Sequence, residues 1–568
     1  MADLKKILIA NRGEIAVRVA RTAHEMGITC VAVYSEADRD ALHVSMADEA
    51  HLLGPAPPAR SYLNIEKLLE VAELSGAQAV HPGYGFLAEN AAFARRVVDA
   101  GLVWIGPHAR AIEEMGDKLR ARRAMQAAGV PVVPGGTEPI ADLAAAREAA
   151  RRYGLPLALK ASGGGGGKGL KVARALEEID SAYSTAVREA QAYFANPTVY
   201  AERYLDNPKH VELQILADRH KNVLHLGERD CSLQRRHQKI WEEAPARIPE
   251  SVREGLREAG IRAARAIAYD SAGTIEFLVS GNEFYFLEMN TRIQVEHTVT
   301  EMICGLDLIR EQIRIAAGEP LGYAREQVHF RGAAIEGRIN AEDPAADFRP
   351  VPGTITAYRE PGGPGVRVDA ASYPGARIAP EYDSLVAKLV VWAPSRDEAI
   401  ARLRRAADEF VIEGIATTLP VLRALCDEPE VHQATYGTSS LERYAQRWRE
   451  EARLSSQPSH RAAELAKRYR ARTESALKPA PRIPRSRRAH AAQSGDTVSS
   501  PMHGVVVEVC VAPGDAVQAG QVIAVIEAMK MMNEIRAQRA GAVATVHATI
   551  GATVEVDAPL VTLSSLSQ

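Results

Sequence analysis

A proline- and arginine-rich stretch divides this chain into two parts that must fold separately. Between positions 455 and 500 the sequence consists mainly of alanine, arginine, proline and serine, and almost no large apolar residue follows Leu477. Lys478–Pro484 contains three prolines, which cannot lie inside a helix because each removes a backbone donor and clashes with the preceding turn. The arginines lack interleaved aromatic residues, so a solvated tether is favoured over a nucleic-acid site. We therefore predict a flexible linker between a large N-terminal and a small C-terminal part.

The overall composition is that of a globular protein. The 568 residues are 46% hydrophobic and 25% charged, close to the average for soluble domains. No segment approaches the ~20 consecutive apolar residues of a membrane-spanning helix. A net charge of −3 gives no electrostatic basis for binding nucleic acid or an anionic membrane. Because Met1 is followed almost directly by the apolar stretch Ile7–Ala10, without a leader pattern, we expect a soluble cytoplasmic protein.

The five cysteines predict neither disulfide bonds nor a zinc site. They are widely separated and form no Cys-x-x-Cys pair. Structural thiols are the expected role, but Cys231 stays open because it lies in a run of charged residues.

The beginning of the chain alternates strand-like and helix-like patterns. Ile7–Ala10 precedes a helix with Ile15 and Val19 on one face, and Cys30–Tyr34 has the pattern of the next strand. Strands separated by helices predict a parallel, doubly wound sheet. The first turn lacks the Gly-x-Gly-x-x-Gly pattern of dinucleotide sites. The glycine-rich loop His81–Phe86 follows a later strand and is either a ligand loop or a plain turn.

A second glycine-rich loop follows the apolar run that ends at Lys160. Gly163–Gly169 contains six glycines and Lys168. Glycines are costly to order, and they suit a loop whose backbone N–H groups approach a ligand closely. The loop is not a Walker A motif, because neither serine nor threonine follows Lys168. A flexible linker is the alternative, but the loop lies between two strand-like segments, which favours a flap over phosphate groups.

The segment Glu288–Glu296 has a polar residue at every even position. In an extended chain these side chains share one face. A turn begins at Gly281, and a hairpin centred on the next residue places Glu276 opposite Glu288. Facing carboxylates repel each other unless a cation lies between them, and together with Asn290 they suit magnesium. A solvated strand face is the alternative, but the aromatic residues before Glu288 favour a buried sheet.

The C-terminal part contains an internal repeat. Gly504 and Gly514 recur 37 residues later as Gly541 and Gly551. The repeat predicts two β-rich halves that face each other in a small flattened barrel. Glu527–Met532 joins the halves and is expected at an exposed hairpin tip. Methionines at such a tip gain no burial, so this segment is either an ordinary turn or a functional one.

The C-terminal part resembles the biotinyl carrier domain of biotin-dependent carboxylases. The resemblance lies in Glu527–Met531, in Pro501–Met502 upstream, and in the paired glycines. Lys530 matches the lysine that is biotinylated in that family. A lipoyl domain has the same fold, but it usually places acidic or small residues beside its lysine. The carrier lacks the thumb insertion of some bacterial acetyl-CoA carboxylase carriers and is more similar to the two-subunit acyl-CoA carboxylase type.

Residues from about 5 to 445 resemble the biotin carboxylases. The shared motifs occur in the order and spacing of that family, with Lys168 where arginine is common and Thr298 where proline is common. The motifs are Asn11–Ala16, His81–Phe86, Lys160–Gly169, Glu228–Lys239, Glu288–His297 and Gly337–Glu342.

The resemblance implies an α/β multidomain fold in which an ATP-grasp domain holds ATP between two sheets. The expected parts are a doubly wound N-terminal domain (1–115), the ATP-grasp domain (116–330), a mixed C-terminal carboxylase domain (331–445), a linker with a possible partner-docking segment (446–497), and a small all-β biotinyl barrel (498–568).

The resemblance also implies a role for each candidate site residue. ATP phosphates would be neutralised by Lys118 and Lys160 and covered by Gly164, Gly165, Gly166 and Gly167. The nucleoside and phosphate edges would be held by Glu202, Leu205, His210, Gln234 and His237. Magnesium or manganese would be bound by Glu276, Glu288 and Asn290, and bicarbonate by Lys239, Arg292, Gln294 and the backbone of Val295. Glu296 would be the general base, and Arg338 would stabilise the enolate-like anion of biotin.

The implied reaction is the ATP-dependent carboxylation of biotin on Lys530. Bicarbonate would attack ATP to give carboxyphosphate, which would supply carbon dioxide and a phosphate able to deprotonate biotin. Carboxybiotin would then serve a separate carboxyltransferase β subunit of an acyl-CoA carboxylase, with Arg443–Tyr469 as a possible docking element. A biotin protein ligase and a second copy of the chain are further implied partners. The alternatives are the equivalent subunit of a pyruvate carboxylase and an ATP-grasp ligase with a lipoyl-like module.

Overall fold

The computed structural model describes residues 3–162, 169–194, 196–236, 238–450, 467, 497–529 and 531–564. His237, Lys530 and the four flap glycines 164–167 lie outside the described residues, as do most of the predicted linker and docking segment. No helix within the described residues is long and apolar enough to cross a membrane.

The N-terminal region forms a five-stranded parallel sheet with the order β3-β2-β1-β4-β5. Its central strand places Ile7 between Cys30 and Ala79 on the neighbouring strands, and all three are fully buried. Helices cover both faces, as a sheet of uninterrupted apolar strands requires. The predicted doubly wound sheet is confirmed. The elements are β1 Lys6–Ile9, α1 Gly13–Glu25, β2 Thr29–Ser35, α2 Leu42–Met46, β3 Glu49–Gly54, α3 Ile65–Ser75, β4 Ala79–His81, α4 Ala91–Asp99, β5 Val103–Trp104, α5 Ala109–Gly116 and α6 Lys118–Ala127.

A small antiparallel sheet follows, with the strand order β7-β6-β8. Two helices cover one of its faces, and their alanines pack on Leu157 and Leu159. The strand after the glycine-rich loop begins at Leu170, which agrees with the strand-like segment expected there. The elements are α7 Leu143–Tyr153, β6 Leu157–Ala161, β7 Leu170–Ala173, α8 Ile179–Phe194 and β8 Val199–Arg203.

A large antiparallel sheet of eight strands joins the middle of the chain to its C-terminal carboxylase region. Its order is β13-β12-β9-β10-β11-β14-β21-β19. The strands are β9 Lys209–Ala217, β10 Val223–Arg235, β11 Gln238–Ala244, β12 Ala272–Ser280, β13 Glu283–Asn290, β14 Ala333–Asn340, β19 Val366–Ala370 and β21 Leu385–Ala393. The helices are α9 Glu250–Ala266, α10 His297–Cys304, α11 Leu308–Ala316, α12 Arg396–Glu409, α13 Leu419–Leu425, α14 Pro429–Gln433 and α15 Ser440–Glu450. Short strands in this region pair in separate two-stranded sheets, β15-β16, β17-β20 and β18-β22. They are β15 Glu342–Asp343, β16 Arg349–Pro350, β17 Gly353–Thr354, β18 Ala357–Arg359, β20 Arg377–Ile378 and β22 Val411–Glu413.

The C-terminal part is an all-β barrel of two four-stranded sheets, β23-β30-β28-β25 and β27-β26-β24-β29. The repeat of 37 residues is confirmed strand for strand, because β24, β25 and the start of β26 recur at that offset as β28, β29 and the start of β30. Each sheet contains strands from both halves, as quasi-twofold symmetry requires. The strands are β23 Thr497–Ser499, β24 Gly504–Val509, β25 Ala516–Val517, β26 Val522–Ala528, β27 Met531–Arg536, β28 Gly541–Val546, β29 Thr553–Val554 and β30 Pro559–Ser564.

The tip between β26 and β27 differs from its prediction in one respect. The two strands pair up to Ala528 and Met531, and Met529 directly follows the last paired residue of β26. Met529 has a φ of 50°, as tight hairpin turns require. Met529 and Met531 are only 4% and 7% exposed, so the expectation that these methionines are exposed is wrong.

Candidate active site

One polar cavity of about 400 Å³ opens between the small antiparallel sheet and the eight-stranded sheet. All candidate site residues within the described ranges line it, although they come from helix α6, from strands of both sheets, and from the loops after β8 and β13. They are Lys118, Lys160, Glu202, Leu205, His210, Gln234, Lys239, Glu276, Glu288, Asn290, Arg292, Gln294, Val295, Glu296 and Arg338. That these residues line one cavity does not test what each of them does, so their individual roles stay predictions.

The hairpin of β12 and β13 presents two carboxylates side by side. Glu276 pairs directly with Glu288, as predicted. The turn itself is two residues long, because Ser280 pairs with Glu283, and a bulge near Leu287 restores the predicted pairing. β13 ends at Asn290, so the expectation of an extended strand through position 296 is wrong.

The polar residues beyond Asn290 nevertheless face the same cavity. Arg292, Gln294 and Glu296 lie in the loop before α10, and Val295 lines the cavity as well. Lys388 donates a hydrogen bond of 3.0 Å to the Val295 carbonyl and fixes this loop from the neighbouring strand β21. A loop can turn odd-numbered and even-numbered residues toward one point, which a straight strand cannot.

Lys239 lies at the centre of three carboxylates. Its Nζ is 2.6 Å from Glu212, 2.5 Å from Glu296 and 3.3 Å from Glu276. Burial favours the neutral amine, but the three carboxylates outweigh it and hold the pKa of Lys239 well above its usual range. Burial likewise opposes ionisation of Glu276, but Lys239 and His210 dominate and depress its pKa. These groups are therefore charged at neutral pH.

Glu296 joins Lys239 to Arg338. One carboxylate oxygen contacts Lys239, and the other accepts a hydrogen bond of 2.9 Å from the Arg338 guanidinium. Burial would raise the pKa of Glu296, but Lys239 and Arg338 hold it well below its usual range. The resting carboxylate is thus ionised, and it becomes a stronger base when an anion draws these cations away.

The opposite end of the cavity presents amino groups suited to phosphates. Lys118, the first residue of α6, lies 3.4 Å from Glu288. Lys160 contacts the buried Glu202, which also accepts a hydrogen bond of 3.1 Å from Arg122. Lysine ammonium groups act as point charges that suit phosphate oxygens.

The walls between these ends combine apolar and polar groups. Leu205, Leu278 and Leu287 form the apolar surface, which suits a planar base. His210 lies 2.8 Å from Glu276, and Gln234 lies 3.5 Å from the His210 ring. Burial lowers the pKa of His210, but Glu276 outweighs it and raises that pKa.

The donor set at the hairpin fits a magnesium ion. Glu276 and Glu288 supply facing carboxylates, and Asn290 donates a hydrogen bond of 2.7 Å to Glu276 and accepts one of 3.0 Å from Arg292. Few carboxylates, with water and phosphate oxygens completing the shell, are what magnesium prefers.

Three residues near the cavity were not predicted from the sequence. Glu212 contacts Lys239, and the fully buried Arg229 donates hydrogen bonds to Glu212 (2.5 Å) and Gln294 (2.8 Å). Glu89 accepts a hydrogen bond of 2.8 Å from Arg292. The alternating polar residues of β9 signal Glu212, but no local pattern marks Glu89, which follows a glycine-rich loop of the first sheet.

Cys231 is a structural thiol. It is completely buried among Glu212 and Glu296. Burial, followed by the charge of Glu212, raises its pKa well above the usual range. A neutral, inaccessible thiol is not a nucleophile.

The fold and the cavity define the class of this protein: an ATP-grasp ligase joined to a carrier barrel. Four sequence families match the chain. They are "Biotin carboxylase, N-terminal domain" at 3–112, "Carbamoyl-phosphate synthase L chain, ATP binding domain" at 117–324, "Biotin carboxylase C-terminal domain" at 336–443, and "Biotin-requiring enzyme" at 496–563.

Known proteins extend this result. Biotin carboxylase 1 of Bacillus subtilis is 52% identical over 78% of this chain and 99% of its own, and a pyruvate carboxylase subunit of Methanothermobacter thermautotrophicus is 50% identical over 77% and 90%. The biotin-dependent acyl-coenzyme A carboxylase alpha3 subunit of Mycobacterium leprae is 44% identical over 95% of both chains. The biotin carboxylase domain dimer of Hydrogenobacter thermophilus 2-oxoglutarate carboxylase, crystallised with MgADP, ADP and bicarbonate, matches with a TM-score of 0.75 and 48% identity over 78% of this chain and 98% of that one.

The chain belongs to the biotin carboxylase family. It is an ATP-dependent ligase that uses magnesium and biotin, and its C-terminal barrel is a biotin-lipoyl domain.

Proposed function

We propose that this chain is the biotin carboxylase and carrier subunit of an acyl-CoA carboxylase, and that it delivers the carboxyl group to a separate carboxyltransferase subunit. The observation that carries this proposal is the likeness to the Mycobacterium leprae alpha3 subunit, which spans both folded parts and the segment between them. Every strand of the described residues belongs to the carboxylase sheets or to the carrier barrel, which leaves no carboxyltransferase among them.

The equivalent component of a pyruvate carboxylase is the second candidate. It is supported by the similarity of the carboxylase part to the Methanothermobacter thermautotrophicus pyruvate carboxylase subunit, which covers 77% of the chain. The carboxylase part performs the same first half-reaction for either acceptor, so similarity there does not discriminate between acceptors. The acyl-CoA assignment rests on the arrangement of the whole chain.

The predicted division at 1–115, 116–330, 331–445, 446–497 and 498–568 is part of the proposal. Helix α15 continues to Glu450, and the first described barrel strand begins at Thr497. The tether would let Lys530 reach its own carboxylase site and then the site of the partner. An r.m.s. span on the order of 40 Å follows for about fifty flexible residues.

ATP binding would place the terminal phosphate between the two ends of the cavity. Lys118 and Lys160 would neutralise phosphate oxygens, and the sequence motif at 164–167 is proposed as the phosphate flap. Glu276 and Glu288 would hold magnesium, which would supply positive charge for phosphoryl transfer. Bound phosphate and metal would compete with the contact between Lys118 and Glu288.

Bicarbonate would bind where Lys239, Arg292 and the Val295 backbone meet. An anion there shares the positive charge of Lys239, which in the resting site compensates three carboxylates. The pKa of Glu296 then rises toward its ordinary value, because the cation that depressed it is shared. Glu296 can take the bicarbonate proton as the oxygen attacks the terminal phosphorus and ADP leaves, forming carboxyphosphate.

Carboxyphosphate would break into carbon dioxide and phosphate beside Arg338. The phosphate would accept the proton of the biotin ureido nitrogen, and the negative charge that then develops on the ureido oxygen would face the Arg338 guanidinium, a fixed cation that lines the cavity. The ureido nitrogen would next bond to the carbon of carbon dioxide, and the charge would pass to the new carboxylate.

The carrier role requires two partners. Lys530 would be biotinylated by a biotin protein ligase, and the methionines on either side of it in the sequence, Met529 and Met531, are buried. A dimer of the carboxylase parts is proposed from the dimeric relative.

The acceptor is tested with the full-length biotinylated chain. The chain is incubated with ATP, magnesium and labelled bicarbonate, freed of small molecules, and mixed with the co-purified partner and one acceptor at a time. We expect label on acetyl-CoA or propionyl-CoA and none on pyruvate or 2-oxoglutarate. Label on a keto acid instead would contradict the acyl-CoA assignment.

A further inference from the structure

Two buried carboxylates lie directly behind Arg338. Glu242 on β11 and Glu336 on β14 are cross-strand partners, and both are completely buried. Arg338 Nε donates to Glu242 at 2.5 Å and lies 4.0 Å from Glu336 Oε1. Its terminal nitrogen donates to Glu296, so the guanidinium bridges the reactive loop and the strand behind it.

Each of the two carboxylates has an oxygen without a hydrogen-bond partner within the described residues. These are Glu242 Oε2 and Glu336 Oε1, both inaccessible to solvent. The other oxygen of Glu336 accepts a hydrogen bond from the Thr298 hydroxyl. Unpaired buried carboxylate oxygens are costly, and a proton relieves that cost.

The charges around Glu242 and Glu336 favour a state in which one of the two carboxylates is protonated. Arg338 and Lys239 face Glu242 together with Glu296, whereas Lys388 faces Glu336. Burial raises the pKa of Glu242 to about 7, although Arg338 opposes the rise. Burial and the charge of Glu242 raise the pKa of Glu336 well above its usual range. Glu336 is therefore protonated while Glu242 is an anion at slightly alkaline pH.

We propose that Glu242 is a positioning residue for Arg338, and that Glu336 keeps a proton so that only one anion lies behind the guanidinium. The inference rests on the proposed role of Arg338 in the biotin step. With one anion behind it, Arg338 stays fixed in direction yet retains charge for Glu296 and for the ureido oxygen. A second anion would draw the guanidinium toward the strand and neutralise it.

The proposal predicts that the coupling between ATP cleavage and carboxylation of biotin depends on pH. ATP cleavage by bicarbonate precedes the step that uses Arg338, so loss of Glu242 spares cleavage more than carboxyl transfer. The measured quantity is the ratio of carboxyl label on the carrier to ADP formed. Ionisations of ATP and bicarbonate affect both numbers and cancel in the ratio, whereas protonation of the released phosphate and acid loss of label from carboxybiotin affect the label alone and are common to all the variants.

The test uses the full-length biotinylated chain and three variants between about pH 6 and pH 8.5. In the unmodified chain the ratio should fall as pH drops below 7, because protonated Glu242 no longer holds Arg338 as an ion pair. Glu242→Gln should lower the ratio about tenfold at the alkaline end and leave only the pH dependence that comes from the phosphate and from acid loss of the label. Glu336→Gln replaces a neutral acid by a neutral amide, so the pH at which the ratio has fallen by half should stay the same.

Glu243→Gln is the matched control. Glu243 is the next residue on β11, is also buried, and pairs with Arg396 at 2.9 Å on the opposite face of the strand. This variant should keep the ratio and its pH dependence. The same loss in Glu243→Gln would assign the effect to general packing and overturn the proposal.

The remaining outcomes are distinct. An unchanged ratio in Glu242→Gln would overturn the positioning role, and a midpoint moved to lower pH in Glu336→Gln would show that Glu336 is charged. If the unmodified chain cleaves ATP but never carries label, the proposed function fails together with the inference. If it carries label and Glu242→Gln behaves identically, only the inference fails.

Discussion

Replacing Lys239 by glutamine gives the most informative stability prediction. The substitution removes one positive charge from a site where it compensates three buried carboxylates. Two of them keep another strong partner, because Glu212 contacts Arg229 at 2.5 Å and Glu296 contacts Arg338 at 2.9 Å. Glu276 keeps only His210 and neutral amides. We therefore expect the cost of about one broken buried pair, about 3–5 kcal/mol near neutral pH.

The pH dependence of this loss has a definite sign. In the unmodified protein the depressed pKa of Glu276 and Glu296 contributes stability that is present above the unfolded value of about 4.3 and is lost as pH falls through the folded value. Without Lys239 those folded pKa values rise, and the contribution disappears. The difference in melting temperature between the two proteins should therefore be larger at about pH 7 than at about pH 3, where the two carboxylates have begun to lose this contribution.

Calorimetry of both proteins at the two pH values measures the effect. The control is Lys209→Gln, which removes a largely buried lysine with a single carboxylate partner, Asp230 at 2.7 Å, outside the cavity. It should lower the melting temperature less. An equal drop for Lys239→Gln at both pH values, or no drop at all, would refute the charge cluster as described.

Three further predictions concern the metal, the barrel and the thiols. Glu288→Gln should raise the magnesium concentration for half-maximal ATP cleavage at least about tenfold, whereas the exposed Glu283→Gln should not; equal effects would remove Glu288 from the metal site. Gly504→Ala should lower the melting temperature of the barrel, since an added Cβ would meet the Ile526 side chain at 2.5 Å and a backbone oxygen at 2.6 Å; unchanged melting would contradict that packing. Alkylation of the folded protein followed by peptide mapping should label the exposed Cys510 before Cys231, and early labelling of Cys231 would contradict its burial.

Two sequence patterns, an alternation of polar residues and an internal repeat, predicted parts of the fold correctly. The pairing of Glu276 with Glu288 follows from the turn at Gly281 and an alternating pattern, and the structure contains it. The barrel follows from the repeat of 37 residues, which recurs as strand pairs. The hairpin could be predicted because its paired residues are close in the sequence. The barrel could be predicted because the same spacing of residues occurs twice.

Contacts between distant segments could not be predicted from the sequence. Glu89 reaches Arg292 across about two hundred residues of chain, and Glu242 lies behind Arg338 through pairing of β11 with β14. A single buried glutamate in a strand has no local signature that separates it from an exposed one. The loop after Asn290 could not be predicted from the alternation of polar residues either. Its side chains reach one cavity because the backbone turns, not because the strand continues.

The most direct test of the account is the position of carboxyl label on the protein. The purified, biotinylated chain is incubated with ATP, magnesium and labelled bicarbonate, digested under mildly alkaline conditions, and mapped by peptide. The account predicts label on the biotin of the peptide that contains Lys530, and none on a Lys530→Arg chain. A biotinylated chain that cleaves ATP but carries no label there would contradict it, because the carrier would then serve a different carboxylase site.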